Sequence, residues 1–313
     1  MDRTPEIREL RYFLAVAQER HFGRAAERIG IAQPALSRAV RGLEARLGVT
    51  LLERTTRRVE LTAAGAALAE DARGVVAAAE AAARRARRAA DAHDGITVAA
   101  KADGDGGLLG PLLDAYDQEP DAVPVDVLLG AWGEQADQLR DGRADVALLH
   151  LPFDARGLDH APLLTEPRLV ALPAGHRLAD AGRPLRLAEL SGEPLPRTGG
   201  DEIAILWCAT EPEAGRGRRL GTPHPAPLDH PVPGDLAQVL ALVALRRAVA
   251  FVPRSAAERH AHRADVVFRP VADLTPVRLT VAWSQTSRTP AVAAFVRVAR
   301  ALAAPADASA PVG

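Results

Sequence analysis

The 313-residue sequence holds one cysteine, Cys208. A single thiol excludes an intramolecular disulfide framework, and its Trp-Cys-Ala setting reads as a small buried hydrophobe rather than a nucleophile. Long apolar runs are missing as well: none reaches the roughly 18 residues that a membrane-spanning helix requires. The opening stretch MDRTPEIREL lacks the apolar core of a secretion signal. The expected location is therefore cytoplasmic, with no membrane partner. Lysine is nearly absent, since every basic residue but Lys101 is arginine. With alanine so abundant, this points to genome composition bias, which lowers the weight of any single arginine.

Several chemistries are also without a signature. There is no GxSxG elbow, phosphate-binding loop or dinucleotide fingerprint, so no enzyme class is supported and no cofactor is expected. His260 and His262 stand two apart on an expected helix, where they would not share a face, and no cysteine or third histidine lies at metal-ligand spacing. Asp103-Gly104-Asp105-Gly106 looks like part of a calcium loop but lacks its other oxygen ligands and distal glutamate, so no metal is expected.

What is present is globular: 48% hydrophobic and 25% charged residues, in a chain long enough for two or more domains. The net charge of −1 hides an asymmetry. Residues 1–92 carry 17 Arg against 12 Asp and Glu, a surplus of +5, which leaves −6 on the remaining 221. A basic module joined to an acidic remainder suits a protein of which one part approaches nucleic acid.

In that module Leu10, Phe13, Leu14 and Ala17 recur at helical spacing up to about His21. Ala25, Ala26 and Ile29 mark a second, short helix that stops at Gly30. Pro34 suits the first turn of a third, in which Leu36, Val40, Leu43 and Leu47 form an apolar face and Ser37, Arg38 and Arg41 fall largely outside it. Residues 50–53 and 59–61 read as short strands around Arg54-Thr55-Thr56-Arg57-Arg58, a basic hairpin suited to phosphate or the minor groove. Residues 62–90 contain no proline and read as one long helix with Thr62 as N-cap. Its Leu68, Ala72, Val75, Ala79, Ala82, Ala86 and Ala89 follow the spacing of a two-helix seam.

The stretch LRYFLAVAQERHFGRAAERIGIAQPALSRAVRGLEARLGVTLLERTTRRVELTAAG, residues 10–65, resembles the winged helix-turn-helix of LysR-type transcriptional regulators. Ala25-Ala26, Gln33 to Arg38, Leu43-Glu44, Leu47-Gly48, Leu51 to Arg54 and Leu61-Thr62 with Gly65 all stand in family order. The resemblance implies that the long helix is a linker through which subunits pair. It also implies a homodimer or homotetramer on an interrupted palindrome near a promoter, with RNA polymerase as a further partner.

Beyond residue 94, short apolar runs at 96–100, 125–129, 146–149, 168–172, 249–253 and 277–283 alternate with helical stretches at 108–118, 135–140, 187–190, 235–245 and 291–302. Such alternation predicts a parallel sheet with helices on its faces. Arg140 to Ala147, Leu163 to His176 and Phe251-Val252-Pro253 resemble the effector-binding domain of the same family, a two-lobed periplasmic-binding-protein-like fold. Leu245-Arg246-Arg247-Ala248 departs from the Gly-containing turn usual there, and residues 198–233 align poorly.

The expected architecture is multidomain. A winged helix-turn-helix rich in α-helix spans 1–61, a dimerisation linker helix 62–92, and an α/β two-lobed effector domain 93–304. Lobe I covers about 93–164 and 271–304, lobe II about 165–270, and 305–313 form a disordered tail. The expected function is a sequence-specific regulator of double-stranded operator DNA, controlled by a small molecule bound between the lobes. Gln33, Pro34, Ala35, Ser37, Arg38 and Arg41 are the expected base and phosphate readers, joined by Arg54, Arg57 and Arg58. The alternative for Ser37 is a hydroxyl bonded to its own helix. By the resemblance, Ala100, Lys101, Ala102, Asp103, Trp132 and Gln135 face the effector, with Lys101 pairing an anion and Trp132 stacking on a ring. The rival reading is a small-molecule-binding protein or enzyme whose N-terminal module only dimerises.

Overall fold

The computed structural model describes residues 4–54, 59–90, 95–196, 210–211, 218–219 and 233–303. Cys208, Arg57, Arg58 and the 305–313 tail lie outside these residues. The chain forms two compact units, Met1–His93 with Arg140–Gly142, and Asp94–Leu139 with Arg143–Gly313.

In the first unit helix α1 (Ile7–Glu19) opens on a reciprocal capping box between Glu6 and Glu9. Helix α2 (Phe22–Ile29) begins where His21 Nδ1 accepts the Arg24 N–H and ends at Gly30 with φ +70°. Helix α3 (Gln33–Leu47) starts with proline in its first turn and ends at Gly48. Their apolar stripes meet in one core in which Phe13, Val16, Ala25, Leu36, Val40 and Leu43 are fully buried. Each large side chain there contributes about 1.5–3 kcal/mol of burial.

Strands β1 (Leu52–Arg54) and β2 (Val59–Leu61) pair antiparallel, with Leu52 opposite Leu61 and Arg54 opposite Val59. Helix α4 (Ala63–Ala90) follows. Thr62 caps it: its hydroxyl accepts the Gly65 N–H at 2.9 Å and donates to the Thr50 carbonyl at 2.8 Å. Gly65 is obligatory, since a β-carbon there would lie 2.0 Å from the Leu51 carbonyl oxygen. Along the expected seam, Ala72 is buried, whereas Val75, Ala82 and Ala86 are exposed.

The second unit holds a five-stranded sheet, ordered β4-β3-β5-β12-β6, and a three-stranded one, ordered β10-β7-β11. Strands β3 (Ile96–Ala100), β4 (Val125–Leu129) and β5 (Val146–Leu151) run parallel. Strand β12 (Val277–Ser284) lies antiparallel between β5 and β6 (Leu158–Glu166). In the smaller sheet β10 (Ala250–Pro253) and β11 (Val266–Pro270) both pair antiparallel with β7 (Arg168–Pro173). The expectation of a parallel sheet is therefore corrected to a mixed sheet and an antiparallel one. β6 leads straight into β7 through Pro167, and β12 returns to the larger sheet, so neither connection is a helical crossover. Alternation had not revealed β6 or β11: Pro162 and the polar pair Asp159-His160 break the pattern of β6.

Helix α5 (Leu109–Asp117) and helix α9 (Pro290–Ala303) cover the larger sheet, where the Tyr116 and Phe295 rings sit 5.1 Å apart. Helix α6 (Glu134–Arg140) packs Ala136 and Leu139 with Ala99 and Ala147 of the same sheet. Helix α7 (Leu236–Ala244) packs Leu236, Val239, Leu240 and Val243 against the smaller sheet, and helix α8 (Arg254–Arg259) follows β10. A two-residue pair, β8 (Thr210–Glu211) with β9 (Arg218–Arg219), is described within the poorly aligning stretch. No helix among the described residues is long and apolar enough to cross a membrane.

Candidate nucleic-acid interface and effector site

Helix α3 turns Leu36, Val40 and Leu43 inward and leaves Gln33, Pro34, Arg38 and Arg41 exposed, with Ala35 and Ser37 half-buried between. Arg38, Arg41 and Ser37 have no side-chain hydrogen bond or ion pair among the described residues, so the Ser37 hydroxyl is not bonded to its own helix. The helix is held by charge at both sides of its C-terminal half. Arg46 meets Glu9 of α1 at 2.9 Å, and Glu44 Oε1 accepts the backbone N–H of Leu51 and of Leu52 at 3.0 and 3.2 Å. The wing strands are thereby registered against α3. Arg54 belongs to β1 by its backbone.

In the second unit the expected ligand residues gather where the two sheets meet. Ala100 is fully buried at the end of β3 and accepts the Gly130 N–H. Lys101 follows at 7% exposure, its ammonium 5.8 Å from the centre of the Trp132 indole. A β-carbon on Gly104 would come within 3.1 Å of that indole and of Lys101, so glycine is what lets the ring lie over this loop. Trp132 also packs against the core of the smaller sheet. Gln135 is buried, with its amide donating to the Ala131 carbonyl at 2.8 Å, while Ala102 is exposed. Asp103 and Asp105 face the Arg259 guanidinium at 3.2 and 2.9 Å.

One residue in this cluster escaped the sequence reading. His150, near the end of β5, lies 6.0 Å from Trp132 ring to ring, and its buried Nε2 has no hydrogen-bond partner among the described residues. Burial lowers its pKa to about 4 against the opposing charge of Asp105, so it is neutral at pH 7. Two expectations about histidine are corrected as well: α8 stops at Arg259, and the His260 and His262 rings lie beyond it, stacked 6.3 Å apart. Among the described residues no three metal-ligating side chains cluster.

Comparison with known proteins decides the family. Residues 7–66 match the model of the bacterial regulatory helix-turn-helix protein, lysR family, and residues 89–304 match the LysR substrate binding domain. The chain belongs to the LysR family. It is a LysR-type DNA-binding transcriptional regulator with an effector-binding domain. Its relatives include the Hca operon transcriptional activator HcaR of Escherichia coli (strain K12), 30% identical over 94% of this chain and 96% of that one. Another is the HTH-type transcriptional regulator TdfR of Cupriavidus pinatubonensis (strain JMP 134 / LMG 1197), 32% identical over 94% and 98%. The crystal structure of CbnR, a LysR family transcriptional regulator, superposes with a TM-score of 0.54 at 28% identity, covering 96% of this chain and 99% of that one.

Within this LysR-family chain, the glycine expected after α7 is replaced by Arg246 without loss of the turn. The Arg246 and Arg247 N–H groups donate to the Val243 and Leu242 carbonyls, and Arg246 itself takes the left-handed conformation at φ +58°. His150 and Arg259 carried no usable sequence signal. The first ends an apolar strand, and the second is one arginine among many.

Proposed function

We propose that this LysR-family regulator reads operator DNA with Gln33, Pro34, Ala35, Ser37, Arg38 and Arg41 of α3, and grips phosphate with Arg54, Arg57 and Arg58 of the wing. The observation that carries this is the outer face of α3, where two guanidiniums and a glutamine amide stand exposed opposite Leu36, Val40 and Leu43. Arginine suits guanine or phosphate, and glutamine an adenine edge. Paired subunits, dimers or dimers of dimers, would present two such faces, making about 6 to 10 phosphate contacts. The proposed division is a reading module at 1–61, a pairing helix at 62–92 and an effector domain at 93–304 with lobes 93–164 plus 271–304 and 165–270. The proposed setting is the cytoplasm, with no catalytic activity.

The effector is proposed to bind between the lobes, where Ala100, Lys101, Ala102, Asp103, Trp132 and Gln135 converge. A largely covered lysine with no carboxylate at ion-pair distance among the described residues suits a small organic anion. The effector shifts the assembly only by its difference in affinity for two arrangements of the readers.

The test is selection of genomic fragments by the purified protein, followed by a salt titration on the strongest site. A compact palindromic footprint, lost in the Gln33→Ala/Arg38→Ala variant while the fold persists, is the expected result. Flat enrichment would remove the reading assigned to α3 and favour a ligand-binding protein whose N-terminal module only dimerises.

A further inference from the structure

Helix α8 belongs to the smaller lobe by packing, since Ala256 and Ala257 enter the core of the three-stranded sheet. Both of its ends are nonetheless bonded to the five-stranded sheet or the loop that leaves it: Glu166 where β6 runs out of that sheet, and Asp103 and Asp105 beyond β3. At the first, Ser255 donates its backbone N–H to Glu166 Oε2 at 2.7 Å and its hydroxyl to Oε1 at 2.9 Å. Glu166 is the last residue of β6 and is 5% exposed. At the other end Arg259 bridges Asp103 and Asp105, while His260 Nε2, 3.3 Å from Asp103 Oδ2, makes no hydrogen bond among the described residues. Both aspartates sit in the loop that leaves β3, two and four residues beyond Lys101.

These attachments differ physically. The Glu166 end is buried, backbone-anchored and adjacent to the crossing strand, where the Arg254 N–H also donates to the Pro167 carbonyl at 2.9 Å. The Arg259 end is open to water, with 42% of its side chain exposed, so its ion pairs are screened and can be exchanged for hydration. Its acceptors are fixed. Asp103 holds a left-handed backbone at φ +61°, and Asp105 also accepts the Leu109 N–H at the start of α5. A short element with a permanent joint at one end and a releasable joint at the other is a clasp.

We propose that α8 is a clasp that keeps the two lobes shut over Lys101 when no ligand is bound, pivoting at Glu166 and releasing at Arg259. With the clasp fastened Lys101 is 7% exposed beneath Trp132, whose ring packs on the same core as Ala256 and Ala257 of α8, so release of Arg259 from Asp103 and Asp105 would loosen the cover over Lys101. The inference rests on the reading of this junction as the effector site and adds how entry to it is controlled. The apparent affinity for an effector is divided by the closed-state bias, so loosening the clasp makes the regulator respond at lower effector concentration.

The test is amide hydrogen exchange on the full-length protein with no ligand added. Arg259→Gln removes the charge and the two-pronged reach at an exposed site, and Arg259→Lys keeps the charge but not the bridge. The expected result is exchange about tenfold faster at 101–108 and 130–135 in Arg259→Gln, an intermediate change in Arg259→Lys, and no change at 7–47. Unchanged exchange at 101–108, or acceleration confined to 254–262, would mean that Arg259 steadies only its own helix and would overturn the clasp. Acceleration spread evenly through both sheets would overturn it too, because it reports lost global stability. Since no ligand is present, failure here leaves the Lys101 assignment standing, and that assignment fails separately if Lys101→Met still responds to organic anions.

Discussion

The Lys101 ammonium and the Trp132 indole form a cation-π pair at 5.8 Å, on a side chain that is 7% exposed as a whole. Desolvating an ammonium is costly, and an aromatic face compensates less than a carboxylate would. The pair is the basis for proposing that this site takes a negative charge.

Lys101→Met retains the apolar stem over the ring and removes the charge. A melting temperature close to that of the unsubstituted protein is expected, because the apolar stem still packs on the ring and only the charge is lost. The response to organic anions should weaken at least about tenfold. A clear drop in melting temperature with an unchanged response would mean that Lys101 is structural.

His150 makes stability depend on pH. Its pKa is about 4 in the folded chain because burial disfavours the charged ring, against an ordinary value of 6.5. Between these values the unfolded chain takes up a proton that the folded chain refuses, so stability falls as pH drops from about 6.5 towards 4. The loss reaches at most about 3 kcal/mol. Urea unfolding at pH 7.5 and pH 5 should show it, and His150→Asn should flatten the difference.

Glu44 is the joint between the reading helix and the wing. Glu44→Ala leaves the N–H groups of Leu51 and Leu52, both nearly fully buried, without their acceptor. Destabilisation of the N-terminal module by about 2–3 kcal/mol is expected in denaturant melts. Operator affinity should fall along with it, even though Glu44 is not one of the proposed readers. Glu44→Gln, which keeps one oxygen, should lose less.

Arg246 holds a left-handed backbone that costs an L-residue about 1–2 kcal/mol, offset in part by the lower unfolded-state entropy of arginine relative to glycine. Arg246→Gly is therefore expected to raise stability by about 1 kcal/mol. An unchanged or lower midpoint would show that the guanidinium, which lies over Gly175, contributes more than the backbone strain costs.

The N-terminal module was legible because its determinants are local. The caps at Gly30 and Gly48, Pro34 in the first turn of α3, Thr62 before α4 and the stripe Leu36-Val40-Leu43 act through neighbours within a turn or two, so spacing alone reveals them. The effector domain was legible in its apolar strands and helices but not in strand direction, since whether a strand pairs parallel or antiparallel depends on where the chain returns from. The cluster proposed as the effector site was half legible: a lone lysine and a tryptophan could be named, while His150 and Arg259 could not.

The sequence by itself determined the family, the helices and the apolar strands other than β6 and β11, and which face of α3 is apolar. These follow from periodicity, turn chemistry and residue types that act over short separations. Only the tertiary structure decided that β12 inserts antiparallel between β5 and β6, that His150 sets its buried, unbonded Nε2 beside Trp132, and that Arg259 closes on Asp103 and Asp105 more than 150 residues away. Burial, orphaned hydrogen-bonding atoms and long-range ion pairs exist only after the chain has folded back on itself, so no local pattern encodes them.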